Sequence, residues 1–252
     1  MLKNRLNIMA FLSLLIIIGV FLFVAPLPQD ATYHDFADGR TIFHVSNFWN
    51  VLSNVPFFIV GVLGLYKLYT NRLTLLKSMH LGYTLLFVGV SLVAFGSGYY
   101  HLEPNNETLV WDRLPMTIAF MSLFAILLSE FVEEKLGRRL LLPLLLLGIS
   151  SVLYWYWGEM HGHGDLRAYA LVQYLPMLVI PVLLLTFKMD YDYIRGYWLL
   201  LLCYFIAKLF EYYDKEIYTL LGGLISGHTL KHMVAALGMY ILLVSFEKRV
   251  VK

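Results

Sequence analysis
A hydroxyl, an imidazole and a carboxylate fall between residues 97 and 112 of this chain. Ser97 and His101 are four apart, so on a helix both project from one face. A short polar turn, Glu103 to Glu107, separates them from Asp112. Far downstream, His228 and His232 are again four apart. A His-x-x-x-His pair on a helix presents two imidazoles to one metal ion. If the two stretches meet, His101, His228 and His232 offer three nitrogen ligands and leave a fourth position for water. That is the pattern of a catalytic zinc site rather than a closed structural one. Ser97 and Asp112 would stand beside it as a hydrogen-bond donor and a proton carrier.

The elements that must position these groups are membrane spans. The chain has 252 residues, 60% hydrophobic and 14% charged, with a mean hydropathy of +0.70. Soluble domains carry roughly 25% charged residues, so the class is an all-α polytopic membrane protein. A span needs about 20 apolar residues. Eight are expected, near 8–26, 49–69, 81–101, 112–132, 139–157, 167–187, 195–212 and 228–247. The first follows Lys3 and Arg5. Its run from Ile8 to Ala25 exceeds a secretory h-region and lacks a clear small-x-small cleavage site. Residues 1–30 are therefore expected to be a retained anchor, and 31–252 a single seven-helix domain. No internal repeat, linker or low-complexity tract interrupts it.

Lys and Arg set the orientation. Thirteen lie on the side of the chain termini and four (Arg40, Arg113, Arg167, Lys215) on the opposite side. The positive-inside rule then puts both termini in the cytoplasm and residues 27–48, 102–111, 158–166 and 213–227 outside. Seven of the eight histidines fall on the outer half; His80 alone lies inside. Ionisable groups are expensive within spans and are functional by default. Three imidazoles at one depth, beside a serine and an aspartate, thus point to a metal. The basic balance reports topology, not nucleic-acid binding. The single cysteine, Cys203, allows no internal disulfide and is expected to be a core residue.

The spacing Ser97-x3-His101-x10-Asp112, followed by Arg113-Leu114-Pro115-Met116 and the late His228-x3-His232, resembles the alkaline ceramidase family. The wider superfamily with this pattern includes the progestin and adiponectin receptors. Asn47-Phe48-Trp49-Asn50 and the run on to Phe57 resemble the first core helix of the family. Ser226 to His232 resembles the last, in the manner of bacterial members. The likeness covers residues 33–247 and leaves the first span outside. It implies zinc-dependent hydrolysis of a ceramide-like lipid amide in a cell membrane; the Lys and Arg count puts the site toward the outer face, the periplasm in a Gram-negative bacterial host. In that chemistry Asp112 accepts the proton of water and passes it to the leaving amine. Ser97 donates to the water or to the developing oxyanion. The choice of amide over ester rests on the resemblance alone. It also implies a calcium ion before the Phe-Trp-Asn tripeptide, for which Asp35, Asp38 and Asn47 are available; the family usually has glutamate where this chain has Asn47. A receptor-like protein with a structural zinc is the alternative, and fold cannot decide between the two. A transporter is disfavoured by the lack of inverted repeats.

Other groups carry smaller expectations. Lys208 and Glu211, three apart, are expected to pair within the bundle or to position a substrate head group. Asp165 and Arg167 should pair or cap the sixth span. His161-Gly-His163-Gly-Asp165 reads as a loop before it reads as a metal site. Tyr154 to Trp157 reads as an interfacial aromatic belt. Pro176 and Pro181 are expected to bend the sixth span and could open a lateral path.

Overall fold
The computed structural model describes residues 2–251. Every expected span is helical. Helix α1 covers Leu2–Phe23, α2 Phe48–Leu52, α3 Val55–Tyr69, α4 His80–Leu102 and α5 Asn106–Phe131. They are followed by α6 Glu134–Met160, α7 Arg167–Thr186, α8 Arg195–Tyr212, the short α9 Asp214–Leu220 and α10 Gly227–Lys248. Seven helices are long and apolar enough to cross a membrane. The remaining expected span, α8, is also helical and packs along α10, but its 18 residues carry Arg195, Lys208 and Glu211. The protein is an all-α, multi-pass membrane protein.

The bundle runs α3–α4–α5–α6 through successive neighbours and closes through α10, which touches α3 and α8. Alpha-helix α7 leans on α5 and α6 and barely touches α8. Helix α1 lies outside, against α7; none of its apolar stretch is fully buried and most of it is exposed. An apolar surface of that kind is stable only in lipid. Arg5 Nη1 donates to the Thr186 carbonyl at one end of α1, and Arg167 Nη1 donates to the Val24 carbonyl at the other, at 2.9 and 2.6 Å. The Arg167 guanidinium also pairs with Asp165, as expected from their spacing, at 2.8 Å. Burial would raise the Asp165 carboxyl, but the guanidinium and backbone N–H of Arg167 outweigh it and hold the group below its ordinary value.

One start and one break differ in an instructive way from the expected spans. Helix α5 begins six residues early because Asn105 forms a capping box: its side chain accepts from the N–H groups of Glu107 and Thr108, both at 2.9 Å, and the Thr108 hydroxyl accepts from the Asn105 N–H. Asp112 therefore stands well inside a helix rather than at its opening. The span expected at 49–69 is interrupted at Ser53 and Asn54. Both side chains bond back to the Asn50 carbonyl, at 3.1 and 2.8 Å, and compete with the helical ladder.

The helices meet most closely where small residues allow it. A Cβ on Gly96 would sit 1.9 Å from the Trp111 carbonyl oxygen and 3.2 Å from the Pro115 ring. Pro115 has no N–H to offer that carbonyl four residues back. The freed oxygen occupies the space where any other residue's side chain would begin. This contact draws α4 against α5 one residue from Ser97 and one turn from Asp112.

At the end of the bundle away from those residues, Glu130 of α5 and Arg249, just past α10, form a buried ion pair at 2.6 Å. Tyr83 and Tyr197 donate to the same carboxylate, Tyr197 at 2.6 Å, and Arg249 Nε donates to the Thr74 carbonyl at 2.6 Å. The guanidinium lies against the Tyr191 and Phe246 rings, 4.1 and 4.6 Å from their centroids. With every lone pair answered, a buried pair is tolerated; removing one partner from such a pair costs about 3–5 kcal/mol.

Candidate metal centre and lipid cavity
The last turn of α4 and the first turns of α10 bring His101, His228 and His232 together. All three are buried, and one nitrogen from each lies within 4.8 Å of the others. No other group of three His, Cys, Asp or Glu side chains among the described residues is placed to hold a metal. Helix α10 starts where it does because Ser226 caps it, its hydroxyl accepting from the Thr229 N–H at 3.1 Å. His228 and His232 thus occupy one face of its first two turns.

The hydrogen bonds around the imidazoles favour a cation. Ser53 gives its proton to the Asn50 carbonyl, so it accepts from His232 Nδ1–H at 2.8 Å and leaves the His232 Nε2 lone pair free. His101 Nε2 and His228 Nε2 face each other at 3.3 Å, and His101 Nδ1 is buried without a partner. Two facing nitrogens share at most one proton, and a third lone pair beside them has no donor. A divalent ion accepting these three lone pairs removes the competition between the facing nitrogens, with the His101 proton on Nδ1, and three imidazoles suit zinc.

Neighbouring segments fix these ligands. Asn47 donates to the His101 carbonyl at 2.9 Å and so holds the end of α4. Its left-handed backbone, φ 49°, is a conformation that asparagine tolerates. Asp214, at the start of α9, accepts from the His228 N–H at 2.6 Å with one oxygen and from the Ala37 N–H at 2.9 Å with the other. This clamps residues 31–38 over the site. Phe36 covers the imidazoles, its ring centroid 4.6 Å from that of His101 and 4.4 Å from that of His228. His34 anchors the same segment on the far side, bonding the Tyr100 hydroxyl at 2.9 Å and the Asn106 side-chain oxygen at 3.0 Å.

Of the three groups suggested as a calcium site, Asp38 is the one whose oxygens are engaged closely elsewhere. Both oxygens of buried Asp38 accept from the Arg40 guanidinium, at 2.8 and 2.6 Å. Asp35 is exposed and 3.7 Å from Lys215. The Asn47 amide serves His101. A cation at Asp38 would have to displace an arginine already bound through two parallel bonds.

His232, Ser97 and Asp112 open onto one cavity of about 340 Å³. The Ser97 hydroxyl lies beside the Asp112 carboxyl. Lys208 and Glu211 pair on the same cavity wall, as their spacing suggested. Sequence reasoning missed the third member, Lys231, which also donates to Glu211, at 2.8 Å. Its position three residues after His228, as a charge inside a span, is the signal that could have found it. Two ammonium groups share one carboxylate, so this wall is net positive. Arg113 stacks on Trp155 and Tyr169 at 4.1 and 4.6 Å and donates to the Gln29 side chain at 2.7 Å. Beyond these groups the lining is mostly apolar, with Asn54 and Gln173 as polar exceptions: Leu86, Val90, Leu123, Ile180 and Met239 lead away from the histidines. His161 bonds the Trp157 carbonyl at 2.7 Å and takes no part in a metal cluster.

The arrangement suits an amphiphile whose polar part meets the histidines and whose tail lies in the bundle. A search among curated proteins finds no match for the chain. The model of the family described as Ceramidase matches residues 40–251, which include every histidine of the cluster together with Ser97 and Asp112. The chain belongs to the ceramidase family.

Proposed function
We propose that the protein is a zinc-dependent membrane amidohydrolase that cleaves a ceramide-like lipid into a sphingoid base and a fatty acid. The observation that carries this reading is the convergence of three imidazole nitrogens at the head of a long apolar cavity that Ser97 and Asp112 also line. When bound to His101, His228 and His232, zinc supplies a Lewis acid for the amide carbonyl and allows a water to ionise near neutral pH. The chain supplies the rest. Asp112 takes the proton of the attacking water and returns it to the leaving nitrogen. Ser97 donates a hydrogen bond to the oxygen that gains charge. Ser53 holds the orientation of His232 from behind, and Phe36 keeps bulk water off the imidazoles. Lys208 and Lys231 face the polar part of the lipid, where their shared positive charge suits hydroxyl groups and the released carboxylate. The acyl chain lies along the apolar lining.

Access from the bilayer fits the weak contact between α7 and α8, both of which line the cavity. Pro176 and Pro181 lie within α7, where the ring removes ladder bonds and permits a bend. In this reading α1 is an anchor outside the catalytic domain, and the site faces away from the cytoplasm. The test is Asp112→Asn in purified protein. It should keep its metal and slow ceramide cleavage by about 10²-fold or more, the scale of general acid–base catalysis. Cleavage at the wild-type rate would remove Asp112 from the mechanism. Mass spectrometry of a panel of lipid amides and esters identifies the bond that is cut.

A further inference from the structure
The cavity does not run through the protein. At the end opposite the histidines its wall includes Leu127 of α5 and the Tyr197 ring of α8, which are 0% and 2% exposed. The Tyr197 hydroxyl donates to Glu130 at 2.6 Å, and Glu130 is gripped by Arg249 through both oxygens, at 2.6 and 3.1 Å. The Tyr83 hydroxyl and the Thr74 carbonyl hold the rest of the cluster. Turning Tyr197 aside would strip a donor from a buried carboxylate, so the ring is fixed. A methyl group pushed past it would enter an ion pair whose lone pairs are all answered. Such a floor stops a chain abruptly instead of yielding by degrees.

We propose that Tyr197, held in place by Glu130 and Arg249, is the floor of the acyl subsite and sets the longest acyl chain that the protein accepts. The proposal rests on the lipid-amidase reading and deepens it. Both Asp112 and Leu127 line the cavity. Between them α5 advances about 22 Å at 1.5 Å per residue. An extended chain advances roughly 1.2 Å per bond, which follows from about 3.3–3.6 Å per three-bond residue. The depth therefore takes about 18 bonds, the length of a long-chain fatty acyl group. Tyr197 touches the end of the substrate; Glu130 and Arg249 act through it as positioning residues.

The test compares ceramides of graded acyl length. In the wild type, kcat/KM should rise modestly with each methylene that fills the cavity, because a chain drawn from lipid passes from one apolar surrounding to another and gains only packing contacts. It should then fall once the chain exceeds the depth. Tyr197→Ala should move the maximum to longer chains. Leu127→Trp, which fills the same end from another helix, should move it to shorter ones. Tyr197→Phe, which keeps the ring but cuts its tie to Glu130, should leave the maximum near its place and soften the fall beyond it, because the floor then yields by degrees. A second readout needs no turnover: thermal stabilisation of the purified protein by free fatty acids of graded length should show the same maximum and the same shifts. If Tyr197→Ala does not fold, the Leu127→Trp shift decides the matter. Folded Tyr197→Ala and Leu127→Trp proteins with the wild-type length profile in both readouts overturn the floor. Fatty-acid maxima that shift as expected in a protein that cleaves no ceramide uphold the floor and overturn the amidase reading.

Discussion

Replacing Asp214 by alanine should loosen the cover of the metal centre without dismantling the centre. Asp214 spends one oxygen on the Ala37 N–H at 2.9 Å and the other on the His228 N–H at 2.6 Å. Bonds to a charged acceptor contribute about 1.5–3 kcal/mol each. The other ties on this side of residues 31–38 are a long 3.3 Å bond from the Asn50 side chain to the Asp38 carbonyl and the Asp35–Lys215 pair at 3.7 Å, with side chains 76% and 65% exposed. Exposed pairs of that kind contribute about 1 kcal/mol at most, so Asp214 dominates. At about 1.4 kcal/mol per tenfold, its loss should speed hydrogen exchange at the Ala37 amide by roughly ten- to a hundredfold. The amides near His34 should change less, because the Tyr100 and Asn106 bonds remain. His228 should stay placed, since Ser226 still caps α10, and the metal content should hold. Asp214→Asn keeps one acceptor and turns an NH2 toward a second N–H, so its effect should fall between. The assay is residue-resolved exchange by NMR or mass spectrometry with parallel elemental analysis. Unchanged exchange at Ala37 in folded Asp214→Ala, or an equal effect from Asp35→Asn, would refute the clamp.

Two further outcomes follow from the same geometry. Ser53→Ala removes the 2.8 Å partner of His232 Nδ1 and should weaken zinc binding by about 10–100-fold, the usual effect of losing such a support; competition with a calibrated chelator measures it, and an unchanged affinity removes Ser53 from the site. A cysteine in place of exposed Thr219 should react with a membrane-impermeant thiol reagent in intact cells, and one in place of exposed Asn71 only after permeabilisation; the reverse pattern puts the site on the cytoplasmic side.

Much of this site was legible because the spacing of a few residues in apolar runs is costly and therefore informative. Ser97, His101, Asp112, His228 and His232 each interrupt a hydrophobic pattern, and helical spacing already paired four of them. The alternation of apolar runs with polar turns located the helices to within a few residues. What stayed hidden depends on contacts that spacing does not encode. Asp214 reads as a loop acid until the fold sets it against the amides of Ala37 and His228. Lys231 reads as a charge at the start of a span until Glu211 is seen between it and Lys208. Arg249 counts as one more positive charge in a terminal tail, yet it lies buried against Glu130, 119 positions away. The start of α5 was misplaced because the capping box of Asn105 and Thr108 outweighs the low hydropathy of its first turn. Asp35, Asp38 and Asn47 were acceptable oxygen donors by type. Arg40 binds both oxygens of Asp38, Lys215 lies 3.7 Å from Asp35, and the Asn47 NH2 is given to the His101 carbonyl.

The proposed zinc-dependent cleavage of a lipid amide is tested by following ceramide cleavage by mass spectrometry in one purified sample whose zinc is counted, stripped by a chelator and then restored. About one zinc per chain is expected, as three imidazole ligands imply. Sphingoid base and fatty acid should be released in equal amounts, release should stop on stripping, and it should return on adding zinc. Stripped protein that cleaves at the original rate would contradict the proposal. So would zinc-loaded, folded protein that releases neither product; that outcome would leave the metal a structural role.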